Sequence, residues 1–287
     1  MIQIHGEFVT IQGKNLHVLR MGLGGKTIVL IPGWGVTLPT VDFAPLMRDL
    51  SQKHTVCTIE FFGYGLSDST DRPHTNENYV QEIREALKLA GLKPPYVLMP
   101  HSAAGIYCEY YATKYPQEVE SLVLLDTSPT VESFADKLAF PEKELESLAK
   151  HKSSKFGLWL NRALGSLILR IQGEKQEHIQ AGYTKDEVLE VSNTPNHMPT
   201  LVAQMRALPD NVRELLSLNT QLELPTLLFS SGQMKDDKEH QKYLQAYLDK
   251  LGEHVKHILI DDSTHIDIYW RRESRKIICH ELDVFWR

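Results

Sequence analysis

Cysteine is scarce: Cys57, Cys108 and Cys279 are the only three in 287 residues, odd in number and far apart. None forms a C-x-x-C pair, so neither a disulfide framework nor a zinc ribbon is indicated. Positive charge is also short, because the net charge is −6 and no lysine/arginine block offsets it. That balance argues against nucleic acid as a partner. No stretch reaches the roughly 18 uninterrupted apolar residues that would span a bilayer. The opening residues, MIQIHGEFVTIQGKN, lack an apolar run behind positive charge. No signal peptide is read there, and a reduced, cytoplasmic location is expected. The 13 histidines include no H-x-x-x-H or H-E-x-x-H pair, so neither a metal site nor a cofactor is expected. Repeats and low-complexity tracts are absent.

What is present reads as a globular chain with a sizeable core: 42% hydrophobic and 24% charged residues. Strand patterns cover Glu7–Ile11, Leu16–Met21, Thr27–Ile31, His54–Glu60, Tyr96–Met99, Ser121–Leu125, Thr226–Ser230 and Val255–Ile260. TIVLI and TLLFS are continuous apolar runs of strand length, as expected for strands covered on both faces. Helical patterns alternate with them at Pro45–Leu50, Thr75–Ala90, the stretch after Ser102, Lys238–Leu251 and Ile266–Phe285. This rhythm predicts an α/β protein with a mostly parallel, eight-stranded sheet flanked by helices. It breaks after Pro129. Helical segments at Lys143–Lys150, Phe156–Ile171, Lys185–Val191 and Thr200–Leu208 then form a block of about ninety residues before strands resume.

The stretch PYVLMPHSAAGIYCEYYATKY, Pro95 to Tyr115, passes from strand to helix without a loop. Ser102 sits at the corner, at a helix N-terminus whose free N–H groups point outward. A nucleophile whose oxyanion product needs backbone donors suits that place, and so does an ordinary helix N-cap serine. In an open α/β sheet, ligands bind at the carboxyl ends of the strands. The residues there are Gly33-Trp34, Glu60-Phe61, Ser102, Asp126, Ser231-Gly232 with Asp236-Asp237, and His265. A serine hydroxyl is a poor nucleophile until a base takes its proton, and imidazole serves near neutral pH. A carboxylate then fixes the tautomer and stabilises the imidazolium.

With these residues in view, the chain resembles the α/β-hydrolase superfamily over nearly its whole length. Five marks carry the resemblance in order: LIPGWG, EFFGYGLSD, PHSAAG, LLDTSP and DDSTHIDIY. The resemblance implies Ser102 as nucleophile and His265 as base, with the N–H groups of Ala103 and Trp34 as oxyanion donors. It places the acid in a G-x-x-D after the strand that begins PTLL. Counted from Gly232 that position is Lys235, so Asp236 is the first choice, with Asp126 and then Asp237 as alternatives. The elbow also departs from G-x-S-x-G, since Pro100 and Ala104 replace the glycines. Gly105 is expected to relieve the packing one position later. His101 is expected to be structural.

The inserted block matches the family's lid, which divides the chain into a core of 1–128 and 220–287 and a lid of 129–219. Trp34, Phe61 and Trp159 are expected to line an apolar substrate site. The expectation is a serine hydrolase that cleaves a small carboxylic ester or related acyl substrate. An amidase, peptidase or carbon–carbon hydrolase with the same triad, and a ligand-binding protein on the same fold, are the alternatives.

Overall fold

The computed structural model describes residues 5–36, 38–153 and 197–287. Eight strands form one sheet: β1 (Glu7–Ile11), β2 (Lys14–Met21), β3 (Thr27–Ile31), β4 (Thr55–Glu60), β5 (Tyr96–Pro100), β6 (Val119–Leu125), β7 (Thr226–Ser231) and β8 (Val255–Ile260). Their order across the sheet is β1-β2-β4-β3-β5-β6-β7-β8. Only β2 is antiparallel to its neighbours β1 and β4; from β4 to β8 every pairing is parallel. Parallel strands need crossovers, and these carry α1 (Pro39–Asp42), α2 (Ala44–Leu50), α3 (Asn76–Leu89), α4 (Ala104–Lys114), α5 (Glu132–Lys137), α6 (Glu142–Ser153), α7 (His197–Ser217) and α8 (Lys238–Leu251), while α9 (Arg272–Phe285) follows the last strand.

Side-chain alternation along the strands divides the core between the two sheet faces. Val29 and Ile31 of β3 join Leu98, Ile83 and Ile106 on one side, under α3 and α4. Ile28 and Leu30 join Val97, Met99, Leu46 and Ile278 on the other, under α2 and α9. The central strands β3 and β7 are therefore covered on both faces, which is why TIVLI and TLLFS are apolar without alternation; the edge strand β8 exposes Lys256, His257 and Leu259.

Between β6 and β7 the chain leaves the sheet for the helical lid, of which α5, α6 and α7 are described; α7 packs on α4, α5 and α6. The expected helices Phe156–Ile171 and Lys185–Val191 lie outside the described residues. Two helix bounds differ most from expectation. The pattern at Thr200–Leu208 stops before Pro209, yet α7 runs through it to Ser217. Leu201, Met205, Leu208, Val212 and Leu215 are all buried at spacings of three and four. Burial of that continuous stripe outweighs the hydrogen bond that a proline removes. At the other end, the helix expected from Ile266 begins at Arg272. Asp267 Oδ1 accepts from Thr264 N at 2.6 Å, and Ile268 and Tyr269 are core plugs on that turn. Among the described residues no helix is long and apolar enough to cross a membrane.

Candidate active site

The parallel strands converge with their carboxyl ends on one edge, and the chemistry-bearing residues lie there. β5 ends at Pro100 and α4 begins at Ala104, so the chain must reverse within three residues. Ser102 absorbs the reversal with φ +56°, a left-handed conformation that non-glycine residues rarely adopt. Three hydrogen bonds hold it: its N–H donates to Leu125 O at 3.2 Å, and its carbonyl accepts from Gly105 N and Ser128 N, both at 3.1 Å. Gly105 lies so close to the loop after β6 that an added Cβ would stand 2.8 Å from Thr127 Cβ. Pro100 lacks a donor, and the β5–β6 ladder has no pairing beside it. Paired residues run to Leu98↔Leu122 and resume at the bridge His101↔Leu125.

His265, on the loop after β8, presents Nε2 to Ser102 Oγ at 3.0 Å. Its Nδ1 lies 2.7 Å from Asp126 Oδ2. Asp126 ends β6 with φ +47°, so two of the four described non-glycine residues with positive φ are Ser102 and Asp126. Strain of this kind persists only where the surroundings over-determine it. For Asp126 they do: Ser231 N donates to Oδ1 at 2.8 Å and Ser231 Oγ to Oδ2 at 2.9 Å. Burial alone would raise the Asp126 carboxyl, but hydrogen bonds from His265 and Ser231 carry it below its ordinary value. The carboxylate is thus kept charged against an imidazole N–H, which directs the other ring nitrogen at the serine.

That geometry corrects the first choice of acid. Asp236 is exposed, and the carboxylate on His265 is Asp126's. The neighbouring Asp237 caps α8, accepting from Glu239 N at 2.8 Å and His240 N at 2.9 Å. The loop after β7 turns its acids to solvent because Gly232 begins a short 3-10 turn that leads directly into that cap.

Ala103 N stands at the start of α4, next to Ser102, where the helix dipole and free N–H groups favour negative charge. The Trp34 loop approaches from the end of β3. An added Cβ on Gly33 would stand 2.6 Å from Ser102 Cβ and 2.7 Å from His101 O, so only glycine admits this approach. No described backbone carbonyl accepts from Ala103 N or Trp34 N. The Trp34 indole is turned towards the lid, donating to Leu201 O of α7 at 2.9 Å.

Phe61, expected at the mouth, is fully buried instead. It packs edge-on against Tyr79, Tyr64 and Tyr107 with centroids 4.7, 6.1 and 6.4 Å away. Its neighbour Glu60 ends β4 and turns the chain, accepting from Leu66 N at 2.6 Å and Thr40 Oγ1 at 2.5 Å. Trp159 lies outside the described residues. Two contacts at the site have no counterpart among the sequence motifs: Gln233 Oε1 accepts from His265 N at 2.8 Å, and Ser231 clasps Asp126. A lone glutamine in a loop carries no pattern that marks such a role. Among the described residues no group of three or more histidine, cysteine or carboxylate side chains could hold a metal ion.

The family model described as alpha/beta hydrolase fold matches residues 26–271. The uncharacterized protein YbdG of Bacillus subtilis is 26% identical over 242 residues, covering 83% of this chain and 71% of that protein. Mouse serine hydrolase BPHL is 32% identical over 119 residues, which span 40% of either chain. Among solved structures, Cfl2 from Burkholderia cenocepacia superposes with a TM-score of 0.72 at 20% identity, over 98% of this chain and 95% of that one.

Proposed function

Because the chain belongs to the alpha/beta hydrolase fold family, we propose that it is a serine hydrolase that cleaves a small carboxylic ester or related acyl substrate. One observation carries the reading: an unbroken hydroxyl–imidazole–carboxylate chain, with Ser102 Oγ 3.0 Å from His265 Nε2 and His265 Nδ1 2.7 Å from Asp126. The order along the chain, serine, acid, histidine, is one of those in which this constellation performs acyl transfer.

In this reading His265 Nε2 takes the proton of Ser102 Oγ as the oxygen attacks the acyl carbon. The carbonyl oxygen becomes an oxyanion that accepts from Ala103 N and Trp34 N, each such donor supplying about 3–4 kcal/mol. Collapse breaks the acyl–oxygen bond, and the imidazolium returns its proton to the departing alcohol. Water then attacks the acyl-Ser102 ester with its proton passing to His265. The second collapse frees the carboxylic acid and restores the Ser102 hydroxyl. Asp126 stays charged throughout and steadies the imidazolium. The helical lid would roof the acyl portion, and α7 supplies the part of it that meets the Trp34 loop.

A fluorophosphonate probe tests this directly. One probe molecule attached to Ser102, with loss of p-nitrophenyl butyrate turnover, is the expected result. An unlabelled Ser102 in folded protein overturns the reading.

A further inference from the structure

Both polar atoms of the His265 main chain are held by side chains from other parts of the site, outside any backbone ladder. Gln233 Oε1 accepts from His265 N at 2.8 Å. On the other side, His101 Nε2 lies 2.9 Å from His265 O and must donate to it, since a carbonyl only accepts. We propose that Gln233 and His101 are positioning residues that clamp the base, so that the loop after β8 delivers its imidazole to Ser102. The inference rests on the serine-hydrolase reading above.

The need for a clamp follows from where His265 sits. Its loop is exposed at Asp261, Asp262, Thr264 and Ile266, and loops of this kind are the mobile parts of a fold. An imidazole has two rotatable bonds, so fixing its main chain and Nδ1 fixes Nε2. A shift of 1 Å at the reacting atoms costs on the order of a hundredfold in rate.

His101 is suited to one jaw. It is the residue before Ser102, so it ties the base to the nucleophile through a short covalent path. Its ring is buried, lies 4.6 Å from the His265 ring, and meets Tyr269 edge-on at 4.7 Å. Burial, reinforced by the neighbouring His265, pushes its pKa down to about 3. His101 therefore stays neutral, carries one N–H, and directs it at the His265 carbonyl. Its Nδ1 is buried without a hydrogen-bond partner, as expected of a ring whose orientation is set by the other nitrogen.

Gln233 is the other jaw. It belongs to the loop after β7, two residues beyond the Ser231 that clasps Asp126. The resemblance assigns this loop the acid. Here the acid comes from β6, and the loop contributes a neutral acceptor to the main chain of the base.

The test uses the full chain, p-nitrophenyl butyrate turnover and the rate of fluorophosphonate labelling at Ser102. Gln233 is exposed, so Gln233→Met removes the acceptor at little risk to folding, and an unchanged Tm verifies that. Gln233→Met and His101→Leu are each expected to lower kcat about tenfold, with KM changed less than about twofold and labelling slowed in parallel. Gln233→Glu keeps an acceptor and His101→Gln keeps a donor; both are expected to recover to within about threefold of wild type. A wild-type kcat in Gln233→Met, or equal losses in Gln233→Met and Gln233→Glu, overturns the clamp. If His101→Leu does not fold, the Gln233 pair decides alone. A wild-type protein that neither turns over nor labels overturns the serine-hydrolase reading itself; one that does both beside an unimpaired Gln233→Met overturns only the clamp.

Discussion

At the scale of single residues, the proposed chemistry depends on which carboxylate supports His265. Asp126→Asn should lower kcat by about 10²–10⁴-fold, because the amide can no longer hold the imidazole in the required tautomer or stabilise its charged form. Asp236→Asn should leave the rate within about twofold of wild type, since that side chain touches no part of the chain of contacts from Ser102 to Asp126. Steady-state rates of the two variants, each with a measured Tm, make the comparison. Ser102 was legible because a strand and a helix meet there with no residues to spare, and His265 because it follows the last strand. The acid was not. Spacing from Gly232 counts residues along a loop but says nothing of where the loop turns, and its acids cap α8 or face solvent. Asp126 instead gains its place from φ +47° and from the two hydrogen bonds of Ser231, neither of which a linear pattern records.

At the scale of elements, the sheet was the readable part and the connections were not. Thr27–Ile31 coincides with its expected bounds because a strand buried on both faces must be apolar throughout; Val255–Ile260 also coincides, although this edge strand exposes Lys256, His257 and Leu259. α7 outran its expected end because tertiary burial at Val212 and Leu215 prevailed over the local effect of Pro209. The loops lie so close together that single atoms matter. Gly33→Ala would thrust a methyl to 2.6 Å from Ser102 Cβ and 2.7 Å from His101 O, which the main chain can relieve only by moving Trp34 N, the proposed oxyanion donor, away. A loss of about 1–3 kcal/mol of stability is expected, with a fall in kcat that exceeds any change in KM. Chemical denaturation and steady-state kinetics on the variant measure the two effects. α7 also reaches the same loop through Trp34 and Leu201, so the lid and the proposed oxyanion donor share a contact that the motif LIPGWG does not reveal.

At the scale of the whole molecule, two acids outside the site, the buried Glu82 and the half-buried Asp42, set how stability responds to pH. Burial raises Glu82 from 4.5 to about 8, against a partial lowering by Arg72 and the Phe62 N–H. Burial, together with the Glu60 carboxylate, raises Asp42 from 3.8 to about 7. In each case the folded state holds its proton where the unfolded chain has released it. Stability therefore falls as pH rises from about 4 towards 8, by at most about 1.4 kcal/mol per pH unit for each group. Asp126 has the opposite sign, since its depressed pKa adds stability above about pH 4 that is lost on acidification. Glu82→Gln should flatten the fall, raising Tm at pH 8 more than at pH 5, as melting curves across that range would show. The proposed function rests on one covalent event, and intact mass after mixing with a stoichiometric amount of p-nitrophenyl butyrate reads it most directly. A single butyryl group is expected, located on Ser102 by peptide mapping, formed with the release of nitrophenol and absent from Ser102→Ala. Undiminished nitrophenol release by Ser102→Ala, or a butyryl group on another residue, would contradict it.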